Sequence, residues 1–320
     1  MKNKIDKKIQ NILNKLKLKI IKIESGQERF LIARVKNEEK NISLFKCNIT
    51  NEKKAIDRMK REIFFHSQLN NEQNEILHVP KYFKSGLKNN HYWLLREFIN
   101  AKLTGEVHTL AKNSINKKYV FELVKIIFNQ NYILNKIGIK KNTLKIIDKN
   151  YYINELEHDI NYAKFYNIPN KELNFIRKEI KDMCYNTKKE DLIIGHGDIN
   201  PQNILIKKNK IWLIDWERLS QTTIANEASF FWGSSWSDEK LRKFFIEQVV
   251  KKFNLIEKNR LVKNLSVILL LRCLGEIKYW HLLPENIFYR TKDKNSIFRA
   301  QTAVNVHLKT LKKIIHGKYL

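Results

Sequence analysis

The chain has 320 residues, enough to bury a sizeable core in one large domain or two of ordinary size. Apolar residues at 43% and aromatics at 11% exclude a disordered chain. Its formal charge of +28 would draw polyanions, but the excess is lysine spread along the whole chain, and no RRM, KH, zinc-finger or helix-turn-helix signature accompanies it, so specific nucleic-acid recognition is not expected.

The start, MKNKIDKKIQ, is basic but leads into no unbroken apolar stretch, so it does not read as a secretory signal. Ile5, Ile9, Ile12, Leu13 and Leu16 recur at helical spacing and predict an amphipathic helix over 5–17. Residues 18–24 read as a strand, Ser25 and Gly26 as a turn, 29–36 as a second strand and 42–47 (ISLFKC) as a third. Ile56, Met59, Ile63 and Phe64 share one side of a helix over 53–69. Residues 79–87 cross a Pro80 and Gly86 turn region, 91–96 (HYWLLR) is a strand, and EFINAKLTGE is a polar exit from it. From about residue 106 the pattern turns helical, over 106–136, 151–166 and 171–185, and again over 238–253, 261–282 and 296–315. The fold class is thus α+β: a small, mainly antiparallel sheet lobe over 1–99, and a larger, mainly helical lobe over 100–320. The run VILLL (267–271) meets Arg272 at once, and no window supplies the roughly 20 apolar residues of a membrane span. Cys47, Cys184 and Cys273 are far apart and odd in number, giving neither a disulfide framework nor a zinc cluster, and a reducing cytoplasm is the plain reading.

The helical pattern is interrupted by LIIGHGDINPQNILIKKNKIWLIDW (192–216), two short strands around a loop. Such a hairpin holds Asp198, Asn203 and Asp215 at the ends of apolar strands and converges them on one mouth. Phosphoryl transfer asks for that set. Hard Mg²⁺ takes oxygen ligands, which Asp215 and Asn203 can supply, and Asp198 can orient an acceptor hydroxyl and take its proton. His196 is expected to hold the loop rather than perform chemistry.

Asp-x-x-x-x-Asn, a short hairpin and an apolar strand ending in Asp match the kinase catalytic-loop and metal-Asp pattern. The form HGDINPQN followed by IDWE resembles the aminoglycoside phosphotransferase and choline/ethanolamine kinase family, which has the protein-kinase-like two-lobed fold. The resemblance implies ATP in the cleft, Asp198 as catalytic base, Asn203 and Asp215 as metal ligands, and an acceptor pocket built by the carboxy-terminal helices. It departs from the family after the metal-binding Asp: where an Asp is usual, this chain reads ANEASF and offers Asn226 and Glu227.

An ATP-binding lobe also needs a lysine for the α- and β-phosphates, fixed by a helical glutamate. Lys46 on ISLFKC and Glu62 on the following helix match in order and spacing, with Glu28 and Arg61 as weaker alternatives. Ser25, Gly26 and Gln27 offer backbone N–H groups to phosphate, although the loop carries one glycine and equally suits an ordinary hairpin turn. Adenine is expected against the backbone of Arg96, Glu97, Phe98 and Ile99.

No Ala-Pro-Glu element follows Asp215, which disfavours a protein acceptor and points to a small-molecule hydroxyl. For an amine-bearing acceptor, Trp216, Trp232, Trp236, Tyr279 and Trp280 are cage candidates and Glu217, Asp238, Glu239 and Glu276 candidate charges. Trp232 equally suits core packing, and Asp238 a helix cap. The basic chain favours a choline/ethanolamine-like or sugar-like alcohol over a polycationic aminoglycoside. The alternatives are an aminoglycoside phosphotransferase and a non-catalytic pseudokinase or basic binding scaffold.

Overall fold

The computed structural model describes residues 6–25, 29–69, 76–88, 90–105, 115, 117–255, 259–283 and 294–319. Within them a five-stranded antiparallel sheet forms one lobe, in the order β1 (Lys19–Ser25), β2 (Phe30–Lys36), β3 (Ile42–Asn48), β5 (His91–Glu97) and β4 (Tyr82–Lys88). Helix α1 (Lys7–Lys15) starts at Asp6, whose carboxylate accepts the Lys8 N–H. It lays Ile9, Ile12 and Leu13 onto a core with Leu31, Ala33, Val35, Phe45 and Trp93. The central strand β3 is buried on both faces after its first residue, because α1 covers one and α2 (Lys53–Gln68) packs on the other. That burial is what makes a lysine at position 46 unusual.

Between β3 and the helical lobe two elements differ from the sequence reading, and further on the strand at Ser220–Thr223 was not expected. The expected turn over 79–87 is strand β4, an edge strand with half its residues exposed and therefore little hydrophobic signal. Gly86 sits there because the Trp93 ring lies against it; a Cβ would come within 2.7 Å. The polar exit from β5 includes a two-residue strand, β6 (Lys102–Leu103). It pairs with β8 (Ile204–Lys207), which pairs with β9 (Lys210–Leu213), so the segment between the lobes is stitched directly to the hairpin that ends at Asp215. Lys208 and Asn209 turn that hairpin with positive φ.

The other lobe is mainly helical: α3 (Lys117–Lys136), α4 (Lys149–Ala163), α5 (Asn170–Asn186), α6 (Ile224–Ser234), α7 (Glu239–Leu255), α8 (Asn259–Leu282) and α9 (Lys294–Ile315). Of the helical span expected over 106–136, residues 106–114 lie outside the described part. Helix α8 packs against α4, α6 and α9 at once, so its VILLL run is bundle core. No described helix is long and apolar enough to cross a membrane. A second ribbon, β7 (Leu192–Gly195) against β10 (Ser220–Thr223), brackets the Asp198–Asp215 segment at its two ends.

Candidate active site

Lys46 is 2% exposed, and its ammonium lies 2.6 Å from Glu62 Oε2, 2.5 Å from Asp215 Oδ1 and 2.9 Å from Glu217 Oε2. A buried cation is tolerable only when paired and hydrogen-bonded, and here all three ammonium protons have carboxylate partners. Burial alone would lower its pKa; Asp215, Glu62 and Glu217 outweigh that and hold it well above the usual lysine range. The three carboxylates come from α2 and from the turn after β9, so this one side chain ties the sheet lobe to the β8–β9 hairpin. The stack of Phe65 on Trp216, with centroids 3.9 Å apart, fixes α2 against the same turn.

Asp215 itself has φ 66° and ψ 62°. The left-handed conformation costs a non-glycine residue about 1 kcal/mol or more, and Asp is among the residues that tolerate it best. It turns the chain so that Trp216 is fully buried while the Asp215 side chain keeps 31% exposure toward the cleft.

Asp198 stands on the loop that follows β7, half-buried. Its backbone carbonyl accepts from Asn203 Nδ2 at 2.9 Å, its N–H donates to His196 Nδ1 at 3.3 Å, and Arg218 Nε is 3.5 Å from its carboxylate. Because His196 Nδ1 accepts, Nε2 carries the proton and donates to the Ile214 carbonyl at 3.0 Å. Burial lowers the His196 pKa and keeps the ring neutral, so it clamps the Asp198 loop to the strand end before Asp215, the holding role expected of it. Asn203 spends its amide N–H on Asp198, which leaves its side-chain oxygen as a free donor atom. Its peptide is bonded to Ile214, so Asn203 and Asp215 sit at adjacent strand ends. An amide oxygen beside a partly exposed carboxylate fits a hard divalent cation.

Gly197 has φ +79°, and a Cβ there would collide with the Arg218 carbonyl oxygen. Its N–H donates to Glu227 Oε1 at 2.9 Å, and Gln130 reaches the other oxygen of the same carboxyl group. The departure at Asn226–Glu227 is thereby explained. Glu227, wholly buried on α6, anchors the loop that carries Asp198, while Asn226 bonds Thr222.

Of the remaining sequence expectations, Ser25 belongs to β1, paired opposite Ile32, rather than to a turn. Gly26, Gln27 and Glu28 lie outside the described residues. Glu97 ends β5 and its N–H is committed to the Lys81 carbonyl, so that N–H is not on offer to a nucleotide; Ile99 is buried just beyond. The aromatic cage is not formed. Trp216, Trp232, Trp236 and Trp280 are all 2% exposed or less, because each is spent on packing: Trp216 on Phe65, Trp232 on Tyr319, and Trp236 on Trp280. Tyr279 is exposed on α8 but turns its edge to Trp280. Asp238 caps α7 through the Leu241 N–H, and Glu239 pairs with Lys313. Glu217 faces Lys46 and Arg58 instead of an acceptor. Sequence reasoning missed Arg218 and Arg58; for Arg218, its position directly after Asp-Trp-Glu was the available signal.

No protein-family model matches the sequence, and no curated protein matches it. Solved structures do match in shape across nearly the whole chain. The GDP complex of wild-type aminoglycoside 2'-phosphotransferase-IIIa aligns with a TM-score of 0.61 at 11% identity, covering 98% of this chain and 100% of that one. Spectinomycin phosphotransferase, in complex with ADP and spectinomycin, gives 0.59 at 12%, covering 94% and 98%. Choline kinase from Cryptosporidium parvum Iowa II gives 0.55 at 15%, covering 98% of each. At such identities the likeness is one of fold: the chain shares the two-lobed architecture of these small-molecule kinases.

Proposed function

We propose that this chain is an ATP-dependent phosphotransferase that moves the γ-phosphoryl group to a hydroxyl of a small molecule. The observation that carries the reading is the Lys46 ammonium held between Glu62 on α2 and Asp215 at the end of β9, with Asp198 on the adjoining loop. Lys46 is the group for the nucleotide phosphates. All its protons are engaged, so a phosphate must displace one carboxylate. Asp215 is the partner a ligand can reach, since Glu62 and Glu217 side chains are only 0% and 7% exposed. Asp215 and Asn203 would hold Mg²⁺, which supplies charge neutralisation for the phosphates. Asp198, aimed by the His196 and Asn203 bonds, orients the acceptor hydroxyl and takes its proton late in transfer. The base is in turn balanced by Arg218.

For the acceptor, the similar structures lean toward the aminoglycoside alternative: most carry antibiotic-kinase names, and one is a choline kinase. The absence of an aromatic cage among the described residues weighs against a choline-like acceptor. Asp198→Asn tests the core of the reading. Phosphoryl transfer, followed by ³¹P NMR with Mg-ATP and a pool of alcohols, should fall by roughly a thousandfold with nucleotide affinity nearly kept. Equal transfer by the variant removes Asp198 from the chemistry. Failure of the parent protein to bind Mg-ATP leaves the non-catalytic scaffold as the surviving reading.

A further inference from the structure

Beside the candidate base lies a cavity of about 660 Å³, walled by the first turns of α2, the start of α4, the segment after Asp215 and the face of α6. Gly197, next to Asp198, lines it, and so does Arg218. Its charged lining is lopsided: Lys53, Lys54, Arg58, Arg61, Lys145 and Arg218 face two carboxylates, Asp57 and Glu155. Some of the cations are already answered. Arg58 pairs with Glu217, Arg218 with Asp198, and Glu155 is itself drawn to Lys278 at 3.6 Å. Lys53, Lys54 and Lys145 make no ion pair among the described residues.

Three further observations give this lining a direction. Lys54 is exposed at the cavity rim, and partial burial, then the nearby charges of Arg58, Arg29 and Arg218, lower its pKa against the pull of Glu155, so cations crowd this wall. Lys145 rests on the face of the Tyr151 ring, 5.3 Å from its centroid, and its backbone carbonyl is fixed by the Gln221 N–H. Arg61, also in the lining, gives its Nε to the Glu217 carbonyl at 2.9 Å. Ile147, Leu219 and Phe230 supply an apolar flank.

We infer that this cavity seats the acceptor, and that the acceptor is an anionic alcohol, a small molecule whose phosphate or carboxylate group is held by Lys54 and Lys145 while its hydroxyl points to Asp198. The inference rests on the phosphotransferase reading and narrows it. A polycationic amino sugar would enter a lining in which cations outnumber carboxylates, and a quaternary amine would find no cage among the described residues. In the transfer the acceptor oxygen forms a bond to the γ-phosphorus, the bond from that phosphorus to the β–γ bridging oxygen breaks, ADP leaves with the electron pair, and the hydroxyl proton passes to Asp198. The product is more anionic than the acceptor by a whole phosphate, so the same basic wall that gathers substrate must also release a stronger anion; product inhibition is the expected kinetic mark.

The test separates the two readings. Calorimetry first measures Mg·AMP-PNP binding to the whole protein; no binding refutes the nucleotide reading, and the acceptor assignment with it. On the nucleotide-saturated protein, glycerol 3-phosphate and glycerate are then titrated and followed by NMR, beside choline and kanamycin. Saturable binding of either anion at millimolar concentration or tighter, with the two cations excluded, is the expected result, and the better of the two anions identifies the recognised group. The charge-reversed protein Lys54→Glu/Lys145→Glu should bind that anion at least about tenfold more weakly, the scale of a lost charge-assisted contact. If this variant no longer binds Mg·AMP-PNP, Lys145→Gln replaces it, with about a threefold weakening expected. Binding of kanamycin or choline in preference to both anions, no binding of either anion, or anion binding indifferent to the lysine changes would overturn the assignment while leaving the nucleotide reading intact.

Discussion

Replacing Glu227 by Gln tests how the loop that carries Asp198 is held. Burial raises the Glu227 pKa from 4.5 to about 7, against the pull of the Gly197 N–H, Gln130 and the His196 backbone. Because the folded value lies above the unfolded one, the stabilisation is fully present below about pH 4.5 and is lost as pH rises through 7. The gap is worth roughly 3 kcal/mol at ~1.4 kcal/mol per unit, since the group is wholly buried. For 320 residues that corresponds to about 5 °C in Tm. A glutamine keeps the shape without the charge. Its oxygen can accept from Gly197, and its amide N–H can reach Gln130 Oε1, which has no partner among the described residues. Thermal melts of both proteins from pH 5 to 8.5 should show nearly equal Tm at the acid end and the parent protein lower by about 5 °C at the alkaline end. The difference between the two cancels the other titrating groups. A difference that stays flat across the range would mean that Glu227 is ionised throughout, and the account of the loop anchor would be wrong.

Lys46→Met leaves Glu62, Asp215 and Glu217 facing one another without their cation, with single oxygens all within 4.8 Å. It should cost about 3–5 kcal/mol in urea denaturation at pH 7, and less at pH 5, where the carboxylates can take up protons. Gly197→Ala forces a Cβ toward the Arg218 carbonyl at a positive φ, so Tm should drop and phosphoryl transfer should fall further than nucleotide affinity does. Gly86→Ala presses on the Trp93 ring at the outer edge of the sheet. It should destabilise by about 1–3 kcal/mol while the folded fraction keeps its activity.

What could be read from the chain beforehand followed from local pattern. The helices α2, α4, α5, α7, α8 and α9 and the strands β1, β2, β3 and β5 have apolar patterns that fix their place within a few residues, and α+β with two lobes followed from their order. Strand β4 escaped because an exposed edge strand has no apolar alternation, and β6 because two residues carry no period at all. The site divides along the same line. The convergence of Asp198, Asn203 and Asp215 was legible because one hairpin brings them together from within 18 positions of sequence.

The carboxylates around that hairpin were misread because their meaning lies in partners far along the chain. Glu217 was a candidate charge for an amine-bearing acceptor, yet its partner is Lys46, 171 positions away. Glu227 looked like a missing aspartate, yet the longer side chain delivers its oxygen to the Gly197 N–H from α6. Gly195 shows how closely that delivery is fitted: a Cβ there would come within 2.6 Å of the same Glu227 oxygen, so this glycine leaves room for a carboxyl group that enters from outside the loop. The two glycines of Gly-His-Gly-Asp therefore serve different packing problems, Gly195 the fit of Glu227 and Gly197 the close approach of the Arg218 carbonyl at a positive φ, and the histidine between them a third, the clamp to Ile214. The overall charge of +28 gained meaning in the same way, only once folding showed that Lys54 and Lys145, 91 positions apart, line one cavity beside Asp198.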